Sequence, residues 1–152
     1  CAMVQLNFPA YRFEIKNREN KPYILDRIRK KWVVLQPEEW VRQHCVAFLI
    51  ETKKYPQSLI NVEKKLMLNG KTKRYDLIVY SKQGTPQILI ECKAPSVPIT
   101  QESFDQIARY NMVLNSPYLM VTNGQDHFYC QISTEKAAYQ FLKELPNYNP
   151  KS

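Results

Sequence analysis

RYDLIVYSKQGTPQILIECKAP, residues 74–95, is the stretch whose reading decides the fold. Two apolar runs, Leu77-Ile78-Val79 and Ile88-Leu89-Ile90, flank the turn-forming Gln83-Gly84-Thr85-Pro86, so the spacing predicts two strands joined by a turn. Ile88-Leu89-Ile90 is too apolar for a strand facing water on both sides, and Pro95 and Pro98 stop it. Charged residues interrupt both runs at their ends. Successive side chains on a strand point to opposite faces, so Glu91 and Lys93 project together while Cys92 points away. Asp76 precedes the other apolar run. If the two strands pair through the turn, Asp76 and Glu91 lie side by side near the strand ends.

Such a pair implies chemistry. Two carboxylates brought together repel unless a cation sits between them. Hard oxygen ligands suit Mg2+ (or Mn2+), which keeps several waters and binds through one or two carboxylates plus substrate phosphate. Lys93, beside such an ion, is placed to act on an attacking water or on charge developing at a phosphorus centre. The three residues are the parts that phosphodiester hydrolysis requires.

Working outward, Pro37 with Glu38 and Glu39 opens a helix of four to five turns, whose apolar face carries Val41, Cys45, Phe48 and Leu49 up to Tyr55-Pro56. Leu59 to Leu68 has strand character and Asn69-Gly70 turns it into the strand holding Asp76. Beyond Pro98, Thr100 to Leu114 reads as a second helix capped by Thr100. Tyr118 to Thr122 and His127 to Ile132 read as strands around Asn123-Gly124, and Glu135 to Leu145 as a closing helix. Before Pro37, a basic arm holds one or two short strands and a turn. The expectation is a single α/β domain over residues 1–152, with the arm at 3–36 and the core at 37–145. The core order is α-β-β-β-α-β-β-α, a mixed sheet flanked by helices.

Twenty-two Lys and Arg against 14 Asp and Glu leave a net charge of +8, which favours an anionic partner without specifying the fold. The basic segment Arg27, Arg29, Lys30, Lys31, with Trp32 behind it, is a candidate for phosphate contact, as are Lys73 and Arg74 at the rim of the strand pair. No residue suggests reading of base edges. Cys45, Cys92 and Cys130 sit among apolar neighbours with no CxxC, the pattern of buried free thiols in a reducing cytoplasm. No apolar run is long enough to span a membrane, and no signal peptide is evident. The opening Cys1-Ala2-Met3 reads either as two added residues ahead of a start at Met3 or as a truncated start.

Asp76, then Glu91-Cys92-Lys93 at the end of an apolar strand, resembles the PD-(D/E)XK nuclease superfamily. More narrowly, PEEWVRQ (37–43), RYDLIVY (74–80), ILIECKAP (88–95) and YLMVTNG (118–124), in that order, are similar to the nuclease domain at the N-terminus of type I restriction R subunits. The resemblance covers about residues 23–132. It implies a restriction-endonuclease-like core and a Mg2+- or Mn2+-dependent endonuclease acting on DNA, with Asp76 and Glu91 holding the ion and Lys93 completing the catalytic set. It also implies an acidic residue on the first helix, for which Glu38 is preferred and Glu39 is the close rival, and a Gln-xxx-Tyr pair beside the DNA backbone, which Gln106 and Tyr110 fit. A separate translocase or other restriction subunits are the implied companions. Tyr75 stands where the motif name has Pro. The chain has no GxxxxGK[ST] phosphate loop, so it does not amount to a whole R subunit.

Blander readings compete at single positions. Acidic first-turn residues stabilise any helix, and Glu63 reads either as a member of the acidic cluster or, with Lys64 and Lys65 beside it, as part of an exposed strand face, which is preferred. For the whole chain, the competing class is a catalytically silent nuclease-fold module that binds nucleic acid within a larger complex.

Overall fold

Apolar residues alternating with a period of two along residues 77–90 give the central sheet two buried faces, and each face takes one helix. The computed structural model describes residues 3–133 and 138–151. Nine strands and two α-helices follow in order: β1 (Ile15–Arg18), β2 (Lys21–Asp26), β3 (Lys31–Val34), α1 (Pro37–Ala47), β4 (Ile60–Leu68), β5 (Lys71–Tyr80), β6 (Pro86–Cys92), α2 (Gln101–Leu114), β7 (Tyr118–Thr122), β8 (His127–Ser133) and β9 (Ala138–Leu142). The fold is mixed α/β. Strands β4 to β9 form one six-stranded sheet in chain order, antiparallel throughout except for β6 and β7, which run parallel. The crossover between those two strands contains α2, since a parallel pair cannot be closed by a tight turn.

Val41, Cys45 and Leu49 from the first helical stretch pack on Leu77, Val79, Ile88, Ile90 and Cys92. Phe104 and Ile107 of α2 pack on Ile78, Leu89, Leu119 and Val121 on the other face. Burial of these side chains is what holds the layers together, at about 1.5–3 kcal/mol for each fully buried Leu, Ile or Val. Pro37 lies in the first turn of α1, and a π-helical turn over Phe48–Thr52 extends the helix, so the expected four to five turns are there with the last one widened. The N-cap of α2 is Thr100, which exchanges bonds with Ser103, and Asn115 closes the helix in the left-handed conformation.

Two sequence expectations are corrected. The arm holds three strands rather than one or two, paired as a meander β1-β2-β3. Its turns are built by Glu19, Asn20 and Lys30 at positive φ, so no glycine marks them in the sequence. The closing segment, expected as a helix from Glu135 to Leu145, contains a strand at β9; residues 134–137 lie outside the described region. Apolar residues at 138, 141, 142 and 145 imitate a helical stripe. The free edge of β8 offers a ladder that β9 completes, and Phe141 packs its ring 5.2 Å from that of Phe104.

The leading part of the arm, ahead of β1, packs at the β7–β8 turn and against α1. Leu6 is buried beside Val41, the Asn7 amide donates to the Gly124 carbonyl at 2.8 Å, and the Trp40 indole donates to the Val4 carbonyl at 2.8 Å. Gly124 has φ +88, and a Cβ there would meet Leu6 Cδ2 at 2.8 Å and Val41 Cγ2 at 3.1 Å. Among the described residues no helix is long and apolar enough to cross a membrane.

Candidate functional site

Strands β5 and β6 stop pairing after Leu77 and Ile90, so the next two residues outward, Asp76 and Glu91, flank the point where the ladder opens. Backbone donors left by such an opening need another partner. The Cys92 amide takes Asp76 Oδ2 at 2.8 Å, and the Lys93 amide takes the Thr122 carbonyl of β7 at 2.8 Å. On its other side Asp76 also lacks a ladder partner. Pairing of β4 with β5 skips from Val62–Leu77 to Lys64–Tyr75, and the intervening Glu63 has φ 50, a left-handed conformation inside a strand. The alternation of β5 breaks here, and the Asp76 side chain reaches α1, where its Oδ1 accepts from Arg42 Nη2 at 2.9 Å.

Glu91 keeps the β6 alternation and opens with Lys93 into a polar cleft of about 110 Å³, lined also by Lys73, Arg74, Ser103, Gln106 and Tyr110. Lys93 Nζ stands 3.9 Å from Glu91 Oε1. Burial raises the Glu91 carboxyl to about 9, and the neighbouring Asp76 charge adds to the effect, with Lys93 opposing it. Glu38 feels the same field: partial burial and the Asp76 charge raise its carboxyl, while Arg42 and Lys93 pull it down. The structure therefore brings together Asp76, Glu91 and Lys93, with Glu38 at their margin and half exposed.

Glu39 lies behind the cleft rather than in it. It is buried, and its Oε1 accepts from Arg42 Nη1 at 2.7 Å and Arg29 Nη2 at 3.0 Å. Gln106 and Tyr110 line the cleft as a bonded pair, Gln106 Nε2 donating to the Tyr110 hydroxyl at 3.2 Å. Lys73 Nζ sits 3.8 Å from the Tyr110 ring centroid, and hydrogen bonding from Lys73 and Gln106 lowers the phenol's pKa. Arg74 completes the cationic rim.

The basic segment of the arm divides. Lys30 and Lys31 are exposed, and Arg27 is partly exposed with its guanidinium 2.9 Å from Glu51. Arg29 differs from the expectation of a phosphate contact. Its guanidinium is held by Asp26 at 2.6 Å, Glu39 at 3.0 Å and Glu63 at 3.1 Å, which satisfies its charge within the protein. Glu63 likewise belongs to this cluster, 3.4 Å from Arg42, rather than to an exposed strand face.

Arg42 and Asp26 are the residues that sequence reasoning passed over. The available signal was a guanidinium on the inward stripe of α1, shared with Val41, Cys45 and Leu49, which demands a carboxylate partner. Cys45 and Cys92 meet beneath the site with sulfurs 3.7 Å apart, both buried thiols, and Cys130 is a third.

As a metal site, the pair Asp76 and Glu91 has the chemistry of a hard-cation site, two carboxylates whose mutual repulsion a divalent ion would relieve. Among the described residues no group of three or more His, Cys, Asp or Glu side chains is arranged to hold a metal, so water and substrate oxygens would complete the shell. A larger cavity, about 540 Å³ between α2 and the β8–β9 pair, has Asp105 as its one lining carboxylate among the described residues. Glu91 and Lys93 line the smaller cleft instead.

Residues 37–146 match the family model described as type I restriction enzyme R protein N terminus (HSDR_N). Among solved structures, the chain is similar to the fragment of a putative HsdR subunit of a type I restriction enzyme from Vibrio vulnificus YJ016, at 20% identity and a TM-score of 0.43. That match covers 58% of this chain and 19% of the other, so the chain spans about a fifth of that fragment's length. No match was found among curated proteins.

Proposed function

The chain belongs to the family of type I restriction enzyme R protein N termini, and from that premise we propose that it is a PD-(D/E)XK-type endonuclease module hydrolysing DNA phosphodiester bonds with Mg2+ or Mn2+. The observation that carries this reading is the meeting of Asp76 and Glu91 at the opening of the β5–β6 ladder, with Glu91 and Lys93 facing a cleft rimmed by cations. Asp76 and Glu91 would hold the ion. When bound, the ion would supply Lewis acidity to the scissile phosphate and lower the pKa of a coordinated water.

The rest falls to the chain's own groups. Lys93 Nζ orients the attacking water and offsets the charge that accumulates on the phosphate oxygens. Glu38, facing Asp76 and Lys93, adjusts the protonation of the cluster. Lys73, Arg74 and the Gln106–Tyr110 pair line the approach and hold the DNA backbone by charge and hydrogen bonding, without reading bases. Thiols at Cys45, Cys92 and Cys130 suit a reducing cytoplasm. A separate translocase and other restriction subunits are the companions in which cleavage would be controlled.

A second reading, a silent nucleic-acid-binding module, is favoured by one observation: both Asp76 oxygens already accept hydrogen bonds, from Arg42 and the Cys92 amide. Cleavage of plasmid and single-stranded DNA with Mg2+, wild type against Lys93→Ala, separates the two. The expected result is cleavage by the wild type and a loss of about 100-fold or more in the variant, with DNA binding retained. Binding without cleavage by the wild type would leave the silent module.

A further inference from the structure

Behind the cleft, one continuous chain of charged contacts runs from the arm to Asp76. It begins at the turn after β2, where Asp26 is fully buried and its Oδ1 accepts the Ile28 and Arg29 amides, each at 2.8 Å. Asp26 Oδ2 accepts Arg29 Nε at 2.6 Å and Gln43 Nε2 at 3.0 Å. Arg29 then spans to Glu39 at 3.0 Å and Glu63 at 3.1 Å. These same two carboxylates hold Arg42 Nη1, at 2.7 and 3.4 Å, so its guanidinium has little freedom to rotate. The remaining end, Nη2, meets Asp76 Oδ1 at 2.9 Å.

We infer that Arg42 is a positioning residue for Asp76, and that Arg29 of the arm is what holds Arg42 in place, so the β2–β3 turn is a working part of the site. The inference rests on the nuclease reading for its functional meaning and on the contacts alone for its geometry.

Three features favour it over a generic stabilising cluster. First, Asp76 has lost both ladder neighbours, so its side chain is oriented by Arg42 and the Cys92 amide rather than by strand pairing. Second, Glu63 sits at φ 50 within β4, a strained conformation that an unconstrained strand residue would not keep, and its carboxylate touches both arginines. Third, the family match begins at residue 37, whereas Arg29 and Asp26 precede it; the arm supplies contacts that the matched region does not contain. A planar fork suits Arg42 to bridging two acceptors at fixed angles, which a lysine would not do.

The experiment uses the full chain and Arg29→Met, which leaves Arg42 present to meet Glu39 and Asp76 while removing what holds it. The Cys92 amide, donor to Asp76 Oδ2, is the direct reporter; the Ile90 amide, in the core of the same strand, is the control. Hydrogen exchange by NMR is expected to quicken about tenfold or more at Cys92 in Arg29→Met with Ile90 unchanged. Mn2+ titrated alone is expected to bind about 10-fold more weakly. In cleavage assays, the Mg2+ concentration giving half the maximal rate should rise while kcat at saturating Mg2+ stays near wild type. Arg29→Lys should restore part of each effect. Unchanged Cys92 exchange overturns the inference, and so does equal quickening at Cys92 and Ile90, which marks a general loosening. A wild type that neither binds Mn2+ nor cleaves DNA, with the Cys92 effect intact, sinks the nuclease reading and leaves the positioning of Asp76 standing.

Discussion

Glu91 is the residue whose surroundings oppose its own charge most clearly, with its carboxyl raised from 4.5 to about 9 by burial and by Asp76. The sign of the consequence follows from linkage. Between about pH 4.5 and 9 the unfolded chain gives up this proton while the folded chain keeps it, so stability falls as pH rises through that window. Glu91→Gln, which cannot ionise, removes the penalty. Urea unfolding at pH 5 and pH 9 should show the wild type losing stability relative to the variant as the pH rises. A pH-independent difference would mean that Glu91 ionises freely. At this scale the triad itself was legible, because Asp76, Glu91 and Lys93 are charges set against apolar runs, and a charge out of pattern is visible one residue at a time. The role of Arg42 was not, because its place on the inward stripe of α1 calls for a carboxylate without saying that Asp76, 34 residues away, is the one.

Elements were readable wherever local chemistry and tertiary demand agreed. The Asn69-Gly70 and Gln83–Pro86 turns, the Pro37 start of α1 and the Thr100 cap of α2 are all signals whose cause is within a few residues. Disagreement came where partners were distant or turns unconventional. Residues 138–142 satisfy a helical stripe and a strand alternation alike, and only the open edge of β8 decides between them. The arm's turns at Glu19, Asn20 and Lys30 use the left-handed region without glycine. One glycine, by contrast, is held by packing of two side chains. Gly124 combines φ +88 with Leu6 and Val41 against the space its Cβ would fill, so it fastens the leading segment, α1 and the β7–β8 turn together. Gly124→Ala is expected to cost about 1–3 kcal/mol in urea unfolding, with the slope against denaturant unchanged. A neutral substitution would show that the leading segment is not seated there.

For the molecule as a whole, the net charge of +8 already sets Arg29 and Arg42 against the carboxylates that hold them, so the surplus lies on other cations. On the proposed reading, Lys73 and Arg74 at the cleft are the cations that would meet a phosphate backbone. Titrating a DNA duplex at several salt concentrations, Lys73→Ala and Arg74→Ala should each lower the slope of log K against log salt by about 1. Slopes equal to wild type in both variants would move the DNA path off this cleft. The lone parallel pairing in the sheet has a kinetic consequence. Strands β4, β5 and β6 can zip as neighbours along the chain, but β7 can join only after the loop carrying α2 has closed. The ladder that seats Glu91 against Val121 and the Lys93 amide against Thr122 is therefore among the last to form during folding, and the half of the molecule that assembles quickly does so without a finished site.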